Sequence, residues 1–182
     1  MTELIKAVRA TIQLSDTVTI DGYMLPDGEF RAGIAGSSVL LGYAKNWFNR
    51  LQSEAPNKVK ALQAGGFTGY VQPVTIPRDS GLRGASRAQT ISLKDLAALI
   101  TVEALSGNKR AIALQAAFTL EGLDGRFRDA FGIQQRTTDE RRRFFGLTYG
   151  EFLEALAENR EELEALRLPG DDMAYPEPDE EA

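Results

Sequence analysis

The chain contains no cysteine and no histidine. These two absences exclude disulfides, zinc sites built from Cys and His, thiol nucleophiles and every catalytic triad that needs an imidazole. Any general acid–base chemistry would have to use carboxylates, lysine or tyrosine. For metals, only sites for hard ions, built from Asp and Glu oxygens, remain open.

Long apolar runs are absent as well. No segment approaches 18 consecutive apolar residues, so we expect no membrane-spanning helix and no membrane partner. The first sixteen residues carry charge throughout and lack the apolar centre of a secretory signal. These features predict a cytoplasmic protein. The 182 residues are 43% apolar and 26% charged, which is typical of one globular domain with appendages.

Charge is distributed unevenly along the chain. Residues 1–143 hold 19 Lys and Arg against 14 Asp and Glu, whereas residues 144–182 hold 2 against 12. Such an asymmetry suggests a body that meets an anion and an acidic tail. The alternative is a solvated acidic terminus that only aids solubility.

The first third of the chain changes from strand-like to helical patterning. The segment VTIDGYMLPDGEFRAGI has β-type apolar content, and the pairs Asp21-Gly22 and Asp27-Gly28 predict tight turns of a hairpin or small meander. From Ser37 the period is helical, with Ser37 or Ser38 as the cap of a short helix that ends near Gly42. A second helix is predicted over about 44–53.

Capping residues mark the later helices. Ser92 and Asn108 are predicted N-caps of two apolar helices. Thr148 and Glu151 form the pattern of a capping box, which predicts an acidic helix running to about residue 168. The acidic, proline-containing residues 169–182 are expected to be disordered.

The stretch LLGYAKNWFNRLQ at residues 40–52 resembles a helix-turn-helix corner. Gly42 permits the turn, and the apolar side chains between the polar ones can pack the second helix against the first. Four polar residues then face outwards: Lys45, Asn46, Asn49 and Arg50. Asn pairs with adenine, and Arg or Lys with guanine or phosphate. An ordinary structural corner without nucleic acid is the alternative.

An arginine-rich loop is predicted at residues 77–90. It carries Arg78, Arg83 and Arg87 with several Gly and Ser and only one acidic residue. A basic loop beside a strand can lie along a phosphate backbone. It lacks the GK[ST] ending of a phosphate-binding loop. A solvated surface loop is the alternative.

Two further clusters admit a function. One is a group of acidic residues close in sequence, as in a metal-dependent nuclease: Asp16, Asp21, Asp27 and Glu29. Turns explain the segment DGYMLPDG more economically.

The other is the C-terminal helix, whose apolar stripe docks on the body, pairs with a second copy or holds a protein partner. The stripe consists of Phe152, Leu153, Leu156, Leu163 and Leu166, and the first four are assigned to oligomer or partner contact.

The order of these features resembles the Bro-type N-terminal domain, related to the KilA-N domain, of antirepressor-like and regulatory proteins of viruses, phages and bacteria. Leu41, Gly42 and Tyr43 match that family's turn after the hairpin, and ISLKDLAALI and KRAIALQAAF match its later helices. AFTLEGLDG stands where the family has a Trp-Val and Glu-Val-Leu-Pro ending. The resemblance covers about residues 17–121. It implies a DNA-binding regulator with a separate C-terminal interaction module.

The sequence therefore predicts an α+β protein: an N-terminal β-hairpin, a mostly helical body with a helix-turn-helix-like corner, and a C-terminal acidic helix. We place the body at 1–136, a helical extension at 137–168 and the tail at 169–182. The expected partner is double-stranded DNA, with an oligomer or protein partner at the C-terminal helix.

Phosphate contact is assigned to Lys45, Arg50, Lys58, Lys60, Arg78, Arg83 and Arg87. Base contact is assigned to Asn46 and Asn49. No enzyme activity, cofactor or metal is expected. The alternatives are a protein-interaction adaptor that does not bind DNA and, third, a metal-dependent nuclease or a subunit associated with one.

Overall fold

The structure is a computed structural model that describes residues 5–77 and 87–158. The predicted α+β class is confirmed: four strands come first, three helices and two further strands follow, and three helices end the described part of the chain. The strands are β1 (Ile5–Lys6), β2 (Val8–Gln13), β3 (Thr19–Met24), β4 (Phe30–Gly33), β5 (Gln72–Thr75) and β6 (Arg87–Ser92). The helices are α1 (Ile34–Leu40), α2 (Trp47–Glu54), α3 (Pro56–Ala64), α4 (Leu93–Leu105), α5 (Lys109–Ala130) and α6 (Thr138–Glu158).

One of the two predicted turns joins β3 to β4. Gly28 has a φ of 87°, and the amide of Glu29 donates to Asp27 Oδ1 at 2.9 Å, so the Asp27-Gly28 prediction is confirmed. The Asp21-Gly22 prediction is wrong, because both residues lie inside β3. A Cβ on Gly22 would lie 2.8 Å from Ile12 Cγ1, so close packing between strands accounts for that glycine.

The sheet closes on itself. Its strand order is β1-β5-β6-β4-β3-β2, and only Ala7 separates the first strand of that order from the last. β1 pairs in parallel with β5, whereas β2 pairs in antiparallel with β3. One continuous segment therefore completes both ends of the sheet. The buried Ala7 at the junction donates its amide to Thr75 O at 2.8 Å.

Two predicted caps are confirmed at the helices that cover the sheet. The Asp95 amide donates to Ser92 Oγ at 3.0 Å at the start of α4, and the Ala111 amide donates to Asn108 Oδ1 at 3.1 Å at the start of α5. Each cap satisfies an amide that has no partner within its helix. Side chains of α4, α5, α6 and the sheet contribute to the main core, which includes Ile91, Leu99, Leu114 and Phe145.

The predicted caps at Ser37 and Ser38 are wrong. α1 begins three residues earlier than Ser37, at Ile34, and both serines are buried within it. Their hydroxyls donate to the carbonyls of Gly33 and Ile34, four residues back, at 2.9 and 3.0 Å. This back-bonding satisfies a buried hydroxyl in a helix interior.

The predicted start of the acidic helix at the Thr148–Glu151 capping box is also wrong. α6 is continuous through Thr148, whose buried hydroxyl donates to Phe144 O at 2.9 Å. The capping box lies eleven residues earlier. There, the amide of Thr137 donates to Glu140 Oε2 at 2.7 Å and the amide of Glu140 donates to Thr137 Oγ1 at 3.3 Å. None of the helices in the described ranges is both long and apolar enough to cross a membrane.

Candidate nucleic-acid interface

A glycine turn forms the corner between α1 and α2. Gly42 has a φ of 90°, the left-handed conformation that only glycine adopts without strain. Its amide donates to Val39 O at 3.0 Å, and the Tyr43 amide donates to Ser38 O at 2.9 Å. This pair of bonds is the Schellman ending of a helix. It turns the chain sharply into the segment that precedes Trp47.

α2 presents one apolar and one polar face. Phe48 and Leu51 are buried in the main core. The predicted recognition residues Lys45, Asn46, Asn49 and Arg50 are all exposed. Asn46, Asn49 and Arg50 follow the i, i+3, i+4 spacing that places side chains on one helix face. The structure therefore brings these residues to one surface beside the turn. Arg50 Nη1 lies 3.7 Å from Glu54 Oε1, an exposed ion pair of small energy.

A buried polar network fixes the corner to the rest of the protein. The Glu103 carboxylate on α4 is fully buried; it accepts from Tyr43 Oη at 2.5 Å and lies 2.7 Å from Lys58 Nζ. Asn108 donates from Nδ2 to Leu41 O at 3.0 Å and to Tyr43 Oη at 3.2 Å. The network thus links the turn with α3, α4 and the start of α5.

Aromatic stacking completes this attachment. The rings of Tyr43 and Trp47 stack with centroids 4.1 Å apart and an interplanar angle of 10°. Lys58 Nζ lies 5.1 Å from the centroid of each ring, a distance at which a cation is attracted to the ring face. The Lys58 charge is therefore held between Glu103 and two aromatic rings. Its sequence-based assignment to phosphate is not supported by this arrangement, whereas Lys60 is exposed on α3.

Two basic residues follow Asn108, which donates to Leu41 O at the corner. Lys109 and Arg110 are exposed in the first turn of α5. The Arg110 side chain crosses the glycine turn, because a Cβ on Gly42 would lie 3.0 Å from Arg110 Cδ. No local pattern places residue 110 beside residue 42. The Asn108 cap was the only sequence signal, since it fixes where α5 begins.

The glycine turn supports a stability prediction. Gly42→Ala is expected to lower the free energy of unfolding by about 2 kcal/mol, from left-handed backbone strain and displacement of Arg110. Gly28→Ala is the matched control: φ there is 87° and no atom lies within 4 Å of an added Cβ. It is expected to cost about 1 kcal/mol. Urea denaturation measures both, and equal losses would contradict a contribution from Arg110.

Only part of the predicted arginine-rich loop lies within the described residues. Arg87 is exposed at the first position of β6, paired with Thr75 of β5. Arg78 and Arg83 lie outside the described residues. Their assignment to phosphate contact therefore stays a prediction.

The acidic cluster of the first strands is engaged in structural contacts. Asp21 Oδ1 accepts from Arg9 at 2.8 Å, which raises the pKa of Arg9 above its ordinary value. Glu29 lies 2.6 Å from the buried Arg31, whose Nε donates to Thr90 Oγ1 at 3.0 Å. Across residues 5–77 and 87–158, no group of three or more acidic side chains is arranged to hold a metal ion.

α5 and α6 form an antiparallel hairpin. The rings of Phe118 and Phe145 lie 4.9 Å apart between the two helices. Near the loop that joins the two helices, Arg136 and Arg128 each donate to Asp124 at 2.8 Å. These hydrogen bonds lower the pKa of Asp124 below its ordinary value, and the bond from Arg136 has the larger effect.

The predicted partner residues of α6 do not share one environment. Phe152 is exposed, Leu153 is half-buried and Leu156 is buried, whereas Leu163 lies outside the described residues. Docking on the body therefore already covers part of this stripe. A more exposed apolar row runs along α5, formed by Leu120, Leu123, Phe127 and the following Phe131.

Comparison of the chain with protein-family models, with curated proteins and with solved structures finds no match.

Proposed function

We propose that this protein is a DNA-binding regulator that contacts double-stranded DNA through the corner between α1 and α2. The observation that carries the proposal is the convergence of basic and amide side chains at one rigidly held turn. Lys45, Asn46, Asn49 and Arg50 come from the corner itself, and Arg110 reaches it from α5.

The chemistry of this surface suits a nucleic acid. Lys45, Lys109 and Arg110 form no ion pair within the described part of the chain, so their charges are available to phosphates. Such contacts supply most of the non-specific affinity for duplex DNA. Asn46 and Asn49 carry the amide group that pairs with two atoms of adenine in the major groove. The buried network beneath the turn holds these groups in position before a partner binds.

A salt titration tests the proposal. We expect Lys45→Gln combined with Arg110→Gln to weaken duplex binding and to flatten the dependence of log Kobs on log salt by about two units. Each lost phosphate contact removes about 0.9 from that slope. Fluorescence anisotropy with a labelled random duplex, measured over a range of NaCl concentrations, gives the slope directly.

The control removes the same charge elsewhere. Arg126 and Arg141 are exposed at the far end of the α5–α6 hairpin, and 16 residues of helix place Arg126 roughly 24 Å from Arg110. Arg126→Gln with Arg141→Gln should leave the slope unchanged. If both double variants flatten it equally, binding is a property of net charge and the corner is not the site.

A protein-interaction adaptor is the second candidate, because the apolar row on α5 is exposed. Phe127 and Phe131 are 63% and 74% exposed, and large exposed aromatic groups are typical of protein-binding surfaces. If this is the function, the unmodified chain should show no affinity for random duplex even at low salt.

A further inference from the structure

β2 lies at one end of the strand order, and all six of its residues are exposed. The N–H and C=O groups of a strand point alternately to its two sides. The Leu14 amide donates to Val18 O, next to β3, at 2.9 Å, whereas the Ala7 amide donates to Thr75 O of β5 at 2.8 Å. Even-numbered residues of β2 therefore face β3, and odd-numbered residues face the other side.

The backbone groups of Arg9, Thr11 and Gln13 thus form an outer edge of β2. β5 lies on this side, but its ladder with β1 ends before the outer edge begins. The next donor of that ladder would be the amide of residue 77, which is a proline and has no N–H. Among the strands found in residues 5–77 and 87–158, none pairs with the outer edge.

The outer edge lacks the features that usually keep a strand edge from pairing. Native edges carry a lysine, a proline or a bulge, or they are very short. β2 reads VRATIQ, and its register with β3 is unbroken over six residue pairs. Its one charged side chain, Arg9, forms an ion pair with Asp21 of its own chain at 2.8 Å. The outer edge therefore suits an incoming strand.

The outer edge is complementary to a second copy of itself. A two-fold axis through Thr11 sets the two Thr11 residues opposite each other and sets Arg9 opposite Gln13 of the second copy. Residues paired in this antiparallel register exchange N–H···O bonds, and Thr–Thr pairs are favourable. An axis through Arg9 would instead place two like charges opposite each other. The same surface on both copies is what a closed dimer requires.

This register also covers exposed apolar side chains. Val8, Ala10 and Ile12 share one face of β2, because side chains alternate along a strand. Val8 and Ile12 are 61% and 43% exposed. Across the axis through Thr11, Ile12 lies opposite Ala10 of the second copy, and Val8 lies opposite Leu14. Removal of this apolar area from water favours association.

We propose that the protein forms a homodimer in which the two β2 strands pair in antiparallel about Thr11. The sheets of the two copies are then continuous. The interface lies on the sheet and not on the C-terminal helix. The pairing is independent of the proposed function, because no residue of the corner takes part in it.

The experiment measures the molecular mass of the full-length chain by sedimentation velocity over a wide range of concentrations. Thr11→Pro removes the N–H at the two-fold axis. That N–H faces away from β3, so the hairpin within the chain loses no bond, and proline is tolerated at such edge positions. Thr11→Val is the matched control, because it keeps both the N–H and a β-branched side chain.

A change of charge tests the register separately. Gln13→Arg places a second guanidinium group opposite Arg9 of the other copy, whereas Gln13→Glu places a carboxylate there. Gln13 is exposed, so both substitutions should leave the fold intact.

The unmodified chain and Thr11→Val are expected to pass from monomer to dimer as the concentration rises. Thr11→Pro should raise the Kd of the dimer at least about tenfold, because the Thr11 N–H of each copy loses its bond. Gln13→Arg should raise the Kd and Gln13→Glu should lower it, each roughly threefold. Amide hydrogen exchange at Arg9, Thr11 and Gln13 should slow as the dimer forms.

Other results would overturn the pairing of β2. The first is a chain that stays monomeric at every concentration. The second is a dimer that Thr11→Pro leaves unchanged but that Phe127→Lys with Phe131→Lys dissociates, which places the interface on α5. The third is slow exchange at the outer edge in the monomer, which shows that the edge is paired within one chain. If Thr11→Pro does not fold, the two Gln13 variants decide, and equal Kd values for them overturn the proposal.

Discussion

Glu103→Ala is expected to lower the free energy of unfolding by about 3–5 kcal/mol, which is the usual cost of removing one partner from a buried ion pair. Glu103 is fully buried, and the side chain of Lys58, 2.7 Å away, is only 12% exposed. Without the carboxylate, a largely buried ammonium group would lose its ion pair with Glu103. The Tyr43 hydroxyl would also lose its hydrogen bond to the Glu103 carboxylate.

A double variant separates this loss from simple loss of packing. Lys58→Met combined with Glu103→Leu removes both charges and roughly preserves volume, and such replacements are often close to neutral. We expect it to recover most of the stability in urea denaturation. If it is as unstable as Glu103→Ala, the ion pair is not the source of the effect. The duplex affinity of the double variant would then report how far the network positions the corner.

Phe145→Ala is the second substitution with a large expected effect. Phe145 is 1% exposed, and its ring lies 4.9 Å from that of Phe118 and 6.3 Å from that of Tyr149. Truncation of a buried phenylalanine costs about 3–5 kcal/mol, from lost transfer free energy and from the cavity that remains. Thermal unfolding followed by far-UV circular dichroism measures the loss.

Phe152→Ala on the same helix is the control. Phe152 is 41% exposed, so its truncation should cost less than about 1 kcal/mol.

The same thermal unfolding experiment also tests the predicted division of the chain between residues 136 and 137. One transition in which α6 melts together with the rest would contradict an independent extension, whereas a separate early transition would support it.

The sequence predicted those features that depend on neighbouring residues. Ser92 and Asn108 were identified as caps because a cap acts over three residues. The same rule gave a wrong position for the start of α6, since Thr137 with Glu140 and Thr148 with Glu151 have the same spacing. Burial decides between them: the second threonine lies inside the helix, one turn from the buried Phe145.

The remaining features depend on contacts between distant parts of the chain. From the sequence alone, Lys58 is expected to be a surface lysine available to phosphate. The fold places it beside Glu103 of α4, which lies 45 positions later in the chain. Arg110 lies over Gly42 at the place where Asn108 bonds to Leu41. Part of the candidate surface could therefore be predicted. Helical spacing predicts the four side chains around α2, whereas no local pattern predicts that basic residues of α5 lie beside them.

The continuity of β1 and β2 through Ala7 has a consequence for how the molecule folds. Ile5 and Lys6 pair with Val74 and Thr75, about seventy positions away. During synthesis β2 can form its hairpin with β3 early, but the pairing of β1 must wait until β5 has left the ribosome. Contacts this distant in sequence are slow to form, because loop closure costs entropy before the contact repays it. β1 is thus made well before β5 and reaches its final pairing only after β5 has been made.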